Sequence, residues 1–261
     1  MNNSLARFFY KFKVLRRPFK NLVKNKTIRQ TFFNGSIFFN VVEFPFYWLN
    51  NASCEKVDRE IQDKLLEISF NKDYFIDIGA NVGLMTLSVA LRNKNITVIA
   101  YDPNAAVLKY LNRSIKKNSL EDRIQVINAA VSNKAGKTFM DFSQGPYSGH
   151  FSTEGTEVDI VDFNDILDKY HDERTLFKLD VEGFEFHLIP IIIRHKNSRH
   201  IFMIEMHPKG HNGLSDPQTS LMLLLENNFI IKNTVGEKLN SGNSVTGWEN
   251  IICSYNTDNN Y

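Results

Sequence analysis

The chain has 261 residues, 43% hydrophobic and 23% charged, which excludes a disordered or fibrous protein and allows a core that folds without covalent staples. Its two cysteines, Cys54 and Cys253, form no Cys-x-x-Cys pair; that argues against a disulfide framework or structural zinc site and fits a reducing compartment. Residues 1–30 hold nine Lys/Arg and no acid, whereas the remainder carries 22 Lys/Arg against 29 Asp/Glu, so the net charge of +2 conceals a basic arm on an acidic body with no overall pull towards nucleic acid.

In chain order, Leu5, Phe8, Phe12, Leu15, Phe19 and Leu22 recur at steps of three and four, predicting an amphipathic helix over residues 5–23 with Pro18 as an interruption. Two readings compete for it: a helix docked on the domain or on a second subunit of a homo-oligomer, and a peripheral membrane helix whose Lys and Arg face an anionic surface. No stretch is long enough to span a membrane, and the arm lacks the unbroken apolar run of a signal peptide; the expected location is cytoplasmic, with peripheral membrane contact through residues 5–23. Asn34-Gly35 between Thr31–Phe33 and Ile37–Val42 predicts a hairpin, and Val57–Ile68 is helical by period. Residues 1–70 thus read as an accessory segment and 71–261 as the main domain.

From Tyr74 the pattern alternates: strands at Tyr74–Ile78, Thr97–Tyr101 and Ile124–Val131, helices at Val82–Leu91 and Ala105–Asn118. Such alternation implies a parallel sheet with crossover helices. Later strands are expected at Phe139–Phe142, Val158–Val161, Leu176–Val181 and Ile201–Glu205, a helix at Leu221–Asn227, and an antiparallel pair at Ile230–Val235 and Ile251–Tyr255.

The chemistry concentrates at strand ends. Asp77-Ile78-Gly79-Ala80-Asn81-Val82-Gly83 lies where the first strand meets its helix, and Gly79 and Gly83 let the backbone turn and approach a ligand. Asn81 replaces the middle glycine of a dinucleotide fingerprint, and the Asp77 carboxylate would repel a pyrophosphate, which disfavours a nicotinamide oxidoreductase. An acid there suits an ammonium or sulfonium instead. Asp102, at the end of the next strand, can accept hydrogen bonds from both hydroxyls of a ribose. Asp180 and Glu182 follow another strand, and Glu205 and His207 a third. If those strands are neighbours, Asp180, Glu205 and His207 converge, as a general base on a hydroxyl or as ligands of a divalent metal. Glu182 as a helix cap and His207 as a turn residue are the structural alternatives. The loop Ser143–Phe151, with Tyr147 and His150, is a candidate acceptor cover or a plain surface loop.

At these residues the chain resembles the FkbM family of methyltransferases. The matching pieces run in order: residues 77–83 with Thr86-Leu87, Asp102-Pro103-Asn104, Asn128-Ala129-Ala130-Val131-Ser132, Val161-Asp162, Lys178-Leu179-Asp180-Val181-Glu182-Gly183-Phe184-Glu185 and Glu205-Met206-His207-Pro208. The resemblance implies a Rossmann-like class I methyltransferase fold: a mostly parallel seven-stranded sheet with an antiparallel C-terminal strand, here with a helical and hairpin N-terminal extension. It implies S-adenosyl-L-methionine as cofactor and O-methylation of a hydroxyl, on a small-molecule, sugar or glycan acceptor. By position, Asp77, Gly79, Asn81 and Gly83 would line the methionine part, Asp102 would hold the ribose, and Asn128 and Ala129 lie on the adenine side, with Ala80 and Asn104 counted among the cofactor-binding residues. Asp180 is where a metal ligand or base would sit, with Glu205 and His207 as candidate partners. The family often has Glu at the place of Asp102, and a Val-Leu-x-Gly-Ala pattern where this chain has Pro190 and Ile191–Ile193. An RNA methyltransferase using the basic arm, or a non-catalytic scaffold at the membrane, are the rival readings.

Overall fold

The computed structural model describes residues 27–32, 35–40, 51–143 and 149–255, with side chains from residue 60 onward. The helix expected over residues 5–23 lies outside them, as does Tyr147. Strands β1 (Thr27–Phe32) and β2 (Gly35–Asn40) pair antiparallel, with Phe32 opposite Gly35, which is the expected hairpin. Helix α1 (Asn51–Ser69) starts six residues before the predicted one. Then β3 (Tyr74–Ile78), α2 (Leu84–Arg92), β4 (Thr97–Tyr101), α3 (Ala105–Lys117) and β5 (Ile124–Ile127) alternate as expected.

The third expected strand, Ile124–Val131, is two strands. It breaks at Asn128, whose side-chain amide donates to the Asp102 carbonyl at 3.0 Å, while the Ala129 N–H turns back to the Ile127 carbonyl. Beyond the break, β6 (Ala130–Ser132) joins β7 (Gly136–Asp141), β8 (His150–Ser152) and β9 (Thr156–Asp162) in a separate four-stranded sheet ordered β6-β9-β7-β8. Apolar alternation predicted strands at Phe139–Phe142 and Val158–Val161, but it carries no information on which sheet they enter. Asp162 closes this insertion and caps α4 (Phe163–Lys169) by accepting the Asn164 N–H.

The chain returns to the main sheet with β10 (Thr175–Leu179), α5 (Glu185–His195), β11 (Ile201–Met206), α6 (Pro217–Glu226), β12 (Phe229–Asn233) and β13 (Glu249–Tyr255). Helix α6 begins four residues before the predicted one, because Asp216 caps it and Pro217 fits its first turn. The main sheet has the order β12-β13-β11-β10-β3-β4-β5. Neighbours from β11 to β5 are parallel, and β13 is antiparallel to both β11 and β12. The sheet is the expected mostly parallel, seven-stranded one, and its last strand is the reversed one.

Both faces of the central strands are buried. Phe75, Val98, Leu176 and Met203 point to one face, under α1, α2 and α3. Ile76, Ile99, Phe177 and Phe202 point to the other, under α4, α5 and α6. Side chains buried this fully contribute about 1.5–3 kcal/mol each. Ile61 and Leu65 of α1 belong to the first layer, so the helix placed in the accessory segment by sequence packs into the domain's own core. No helix among the described residues is long and apolar enough to cross a membrane.

Candidate functional site

Winding reverses at β3: β4 and β5 follow on one side, β10 and β11 on the other. The crevice at the carboxyl ends of such strands is where ligands bind. Gly79 sits in it with φ of 84°, its N–H and that of Ala80 donating to the Tyr101 carbonyl at 2.9 and 3.0 Å. A Cβ on Gly79 would fall 1.9 Å from the Asp180 carbonyl oxygen. Gly79→Ala is therefore expected to destabilise the fold by at least about 1–3 kcal/mol from backbone strain. Urea unfolding checks this; unchanged stability would show that the two strand ends do not approach so closely.

Gly83 packs closely as well: its φ is 86°, and a Cβ there would lie 2.2 Å from Leu111 of α3. Asp77 is 1% exposed. It accepts from the Thr86 hydroxyl at 2.6 Å, while its other oxygen lies 4.0 Å from the Lys178 ammonium. Burial raises its pKa against the pull of Lys178.

A cavity of about 500 Å³ opens above the crevice. Of the expected cofactor residues, Gly79, Asn81, Asp102, Asn104 and Ala129 line it, and Asp77, Ala80, Gly83 and Asn128 do not. Asp102 spends one hydrogen bond per oxygen on the loop itself: the Asn81 and Asn104 N–H groups each donate to it at 2.8 Å. Burial pushes its pKa up to about 6 although those two donors oppose the shift. The roof comes from the four-stranded sheet: Met140, Phe142, Phe151 and Ile160 present an apolar wall, joined by His150. Phe151 meets Phe184 edge-on at 5.0 Å, closing the roof onto the turn after β10.

Asp180 also lines the cavity and is 29% exposed. Lys178 pairs in register with Asp77, so both side chains leave the same sheet face. Two residues on, Asp180 projects from that face too, and Lys178 reaches it at 3.0 Å. Lys178 is only 4% exposed; burial opposes its charge, but Asp180, Asp77 and Glu205 outweigh burial and raise its pKa. The β10–β11 register pairs Leu179 with Ile204, and one residue further it sets Asp180 abreast of Glu205. The charge of Asp180, then burial, pushes Glu205 up to about 7.

The expected trio is thus only partly assembled. Asp180 lines the cavity, whereas Glu205 and His207 do not. The His207 Nε2 lies 3.9 Å from Asp180 and 3.7 Å from Glu182. Its Nδ1 is 3.0 Å from Glu185, though out of line with the ring N–H. Burial opposes charge on this imidazole, but Glu185, Asp180 and Glu182 outweigh it and push the pKa up to about 9. Among the described residues, the His/carboxylate groups that come within ligand distance of one another are Glu182 with His207 and His211, and Asp180 with Glu185 and His207; Glu205 is in neither. Glu182 does not cap α5, because the Val181 N–H is taken by Glu185 and the cap position is Phe184. It bonds His211 at 3.1 Å instead.

Sequence reasoning passed over Lys178, Glu185, His211 and Trp248. The first two sit inside a quoted motif but read as strand and helix filler. Trp248, 61% exposed with φ of 60°, lies edge-on to the His207 and His211 rings, at 5.2 Å from each. It reaches them through the β11–β13 pairing, which a linear reading does not reveal.

Comparison with known proteins adds the following. Residues 77–231, more than half of the chain, match the family model described as Methyltransferase FkbM domain. No curated protein sequence matches. Among solved structures, a precorrin-6y C5,15-methyltransferase from Geobacter metallireducens is 13% identical, with a TM-score of 0.45 over 76% of this chain and 89% of that one. The M. jannaschii TYW2 structure in complex with AdoMet is 12% identical, with a TM-score of 0.49 over 88% of this chain and 86% of that one. An O-methyltransferase family protein from Burkholderia thailandensis is 11% identical, with a TM-score of 0.43 over 80% and 60%.

Proposed function

Because the chain belongs to the FkbM methyltransferase family, we propose that it transfers a methyl group from S-adenosylmethionine to a hydroxyl of a sugar or glycan acceptor. The observation that carries this reading is the Gly79 cradle, in which the β3 and β10 ends approach too closely for a Cβ, beside a cavity lined by both Asp102 and Asp180. That shape and donor set fit the cofactor. Asp102 keeps a free lone pair on each oxygen for ribose hydroxyls, and the Ala129–Val131 segment offers a flat apolar edge for a nucleobase. The carboxylate of Asp180 balances a nearby positive charge.

When bound, the cofactor supplies an electrophilic methyl group on a sulfonium. The chain's residues do the rest. The wall of Met140, Phe142, Phe151 and Phe184 excludes water and suits the C–H face of a sugar ring. Asp180, its orientation fixed by Lys178, takes the proton from the acceptor hydroxyl. Holding acceptor and donor in line accounts for up to about 7–11 kcal/mol of barrier lowering, and base catalysis for about 10²–10⁴-fold more.

Calorimetry with adenosylhomocysteine tests the cofactor, and transfer of labelled methyl to a panel of sugars tests the acceptor. Absence of binding at millimolar ligand would sink the first, and transfer confined to amines or to RNA the second. The Asp102 carboxyl sets a pH signature. Ribose hydroxyls bond its ionised form, so protonation competes with binding. Affinity for adenosylhomocysteine is expected to fall as pH drops through about 6, approaching tenfold per unit, and this dependence should flatten in Asp102→Asn.

A further inference from the structure

We propose that Glu182, His207 and His211 form a site for a single divalent transition-metal ion at the edge of the cavity. The three come from separate places: the turn after β10, the residue after β11, and a 3₁₀ turn at His211–Gly213. One donor atom from each falls within 4.8 Å of the others. The Glu182 oxygen is 3.1 Å from the His211 Nε2 and 3.7 Å from the His207 Nε2. Donors about 2.0–2.2 Å from a common ion stand roughly 3.0–3.5 Å from each other; the His207 and His211 rings, stacked at 4.9 Å with 25° between their planes, turn to aim their in-plane lone pairs at the ion.

A second observation, independent of the clustering, is the state of His207. It is 1% exposed, Glu185 stands beside its Nδ1, and its Nε2 faces two carboxylates at 3.7 and 3.9 Å, beyond hydrogen-bond range. A buried ring nitrogen with no partner in hydrogen-bond range is costly. Coordination through Nε2 removes that cost. It also gives Glu185 a role, since a metal-bound imidazole commonly turns its other nitrogen to a carboxylate, and Glu185 lies 3.0 Å from Nδ1.

Charge points the same way. Asp180, Glu182, Glu185 and Glu205 gather around this point, with Lys178 as their buried lysine partner among the described residues. Two imidazoles in a set of three donors favour an ion of the Zn²⁺, Ni²⁺ or Fe²⁺ class over Mg²⁺, Ca²⁺ or Mn²⁺. Trp248 covers the imidazoles from one side, while Glu182 lines the cavity on the other. The open coordination position therefore faces the space that the transferase reading gives to the acceptor, where Asp180 or an acceptor oxygen can complete the shell.

The test uses the untagged full chain, stripped with chelator and dialysed against Co²⁺ as a spectroscopic probe. One Co²⁺ per chain, with visible d–d absorption, is expected. Affinity should fall at least about tenfold in Glu182→Gln and in His211→Ala. His211 is 24% exposed on a short turn, so its replacement leaves the core intact and its result decides the matter. Failure of the wild-type chain to take up stoichiometric Co²⁺, or unchanged affinity in His211→Ala, overturns the site. Adenosylhomocysteine binding, measured separately, keeps the two readings apart: a chain that takes Co²⁺ but not the nucleoside loses the transferase reading alone.

Discussion

Lys178→Met is expected to lower folding stability by about 3–5 kcal/mol, whereas Arg174→Met should cost no more than about 1 kcal/mol. Both residues pair with carboxylates near the ends of the same strand. Arg174 bonds Asp73 at 2.7 Å, but that pair is half exposed, and water replaces most of what is lost. Lys178 is enclosed between Asp77 and Asp180, and Asp77 has an oxygen with no hydrogen bond at all. Without the ammonium, two carboxylates on adjacent strands face each other with little solvent to screen them. Urea unfolding of the two variants at neutral pH gives the comparison. Asp77→Asn introduced into the Lys178→Met chain should recover part of the loss, because it removes one of the stranded charges. Equal, small effects at both positions would mean that water reaches Lys178 after all.

Asp180→Asn separates binding from chemistry. The amide keeps an oxygen for Lys178 and the same volume, so thermal unfolding and adenosylhomocysteine affinity should stay close to those of the parent. Turnover should fall about 10²–10⁴-fold, the usual contribution of a positioned base. Near-normal turnover would move the proton-accepting role elsewhere, and Glu205, held near neutral pKa just behind Asp180, would be the first residue to replace. A parallel loss of nucleoside affinity would instead make Asp180 a binding group.

Much of this was readable before any coordinates. The Asp77–Gly83 run combines a buried strand, two turns that need positive φ and a following helix, and such local demands are written in residue type. Alternating strands and helices fixed the parallel sheet for the same reason. Assignments failed where a distant partner decides the outcome. Ile124–Val131 reads as one strand, and the Asn128 bond to the Asp102 carbonyl, with the Ala129 N–H turned back to Ile127, marks its break. Asp77 and Gly83 belong to the motif, yet Asp77 is engaged by Thr86 and Lys178 and Gly83 packs on Leu111, partners that a linear reading does not reveal. The grouping of Asp180 with Glu205 and His207 assumed that neighbouring strand ends converge. They do, but Glu205 follows the β11 alternation behind Asp180, while Glu182 and His211 take its place beside His207.

The broken third strand has a mechanical result. The roof sheet is continuous with the domain at two joints, Asn128–Ala129 and Asp162–Phe163, and both belong to β6 and β9, which are paired with each other. At its far margin, β8 rests on the Phe151–Phe184 ring contact. The two covalent joints thus lie along one border of the roof, beside Ala129–Val131, while the opposite border is tied to the turn after β10 through a ring contact, so the roof is anchored to the domain by unlike means on its two sides.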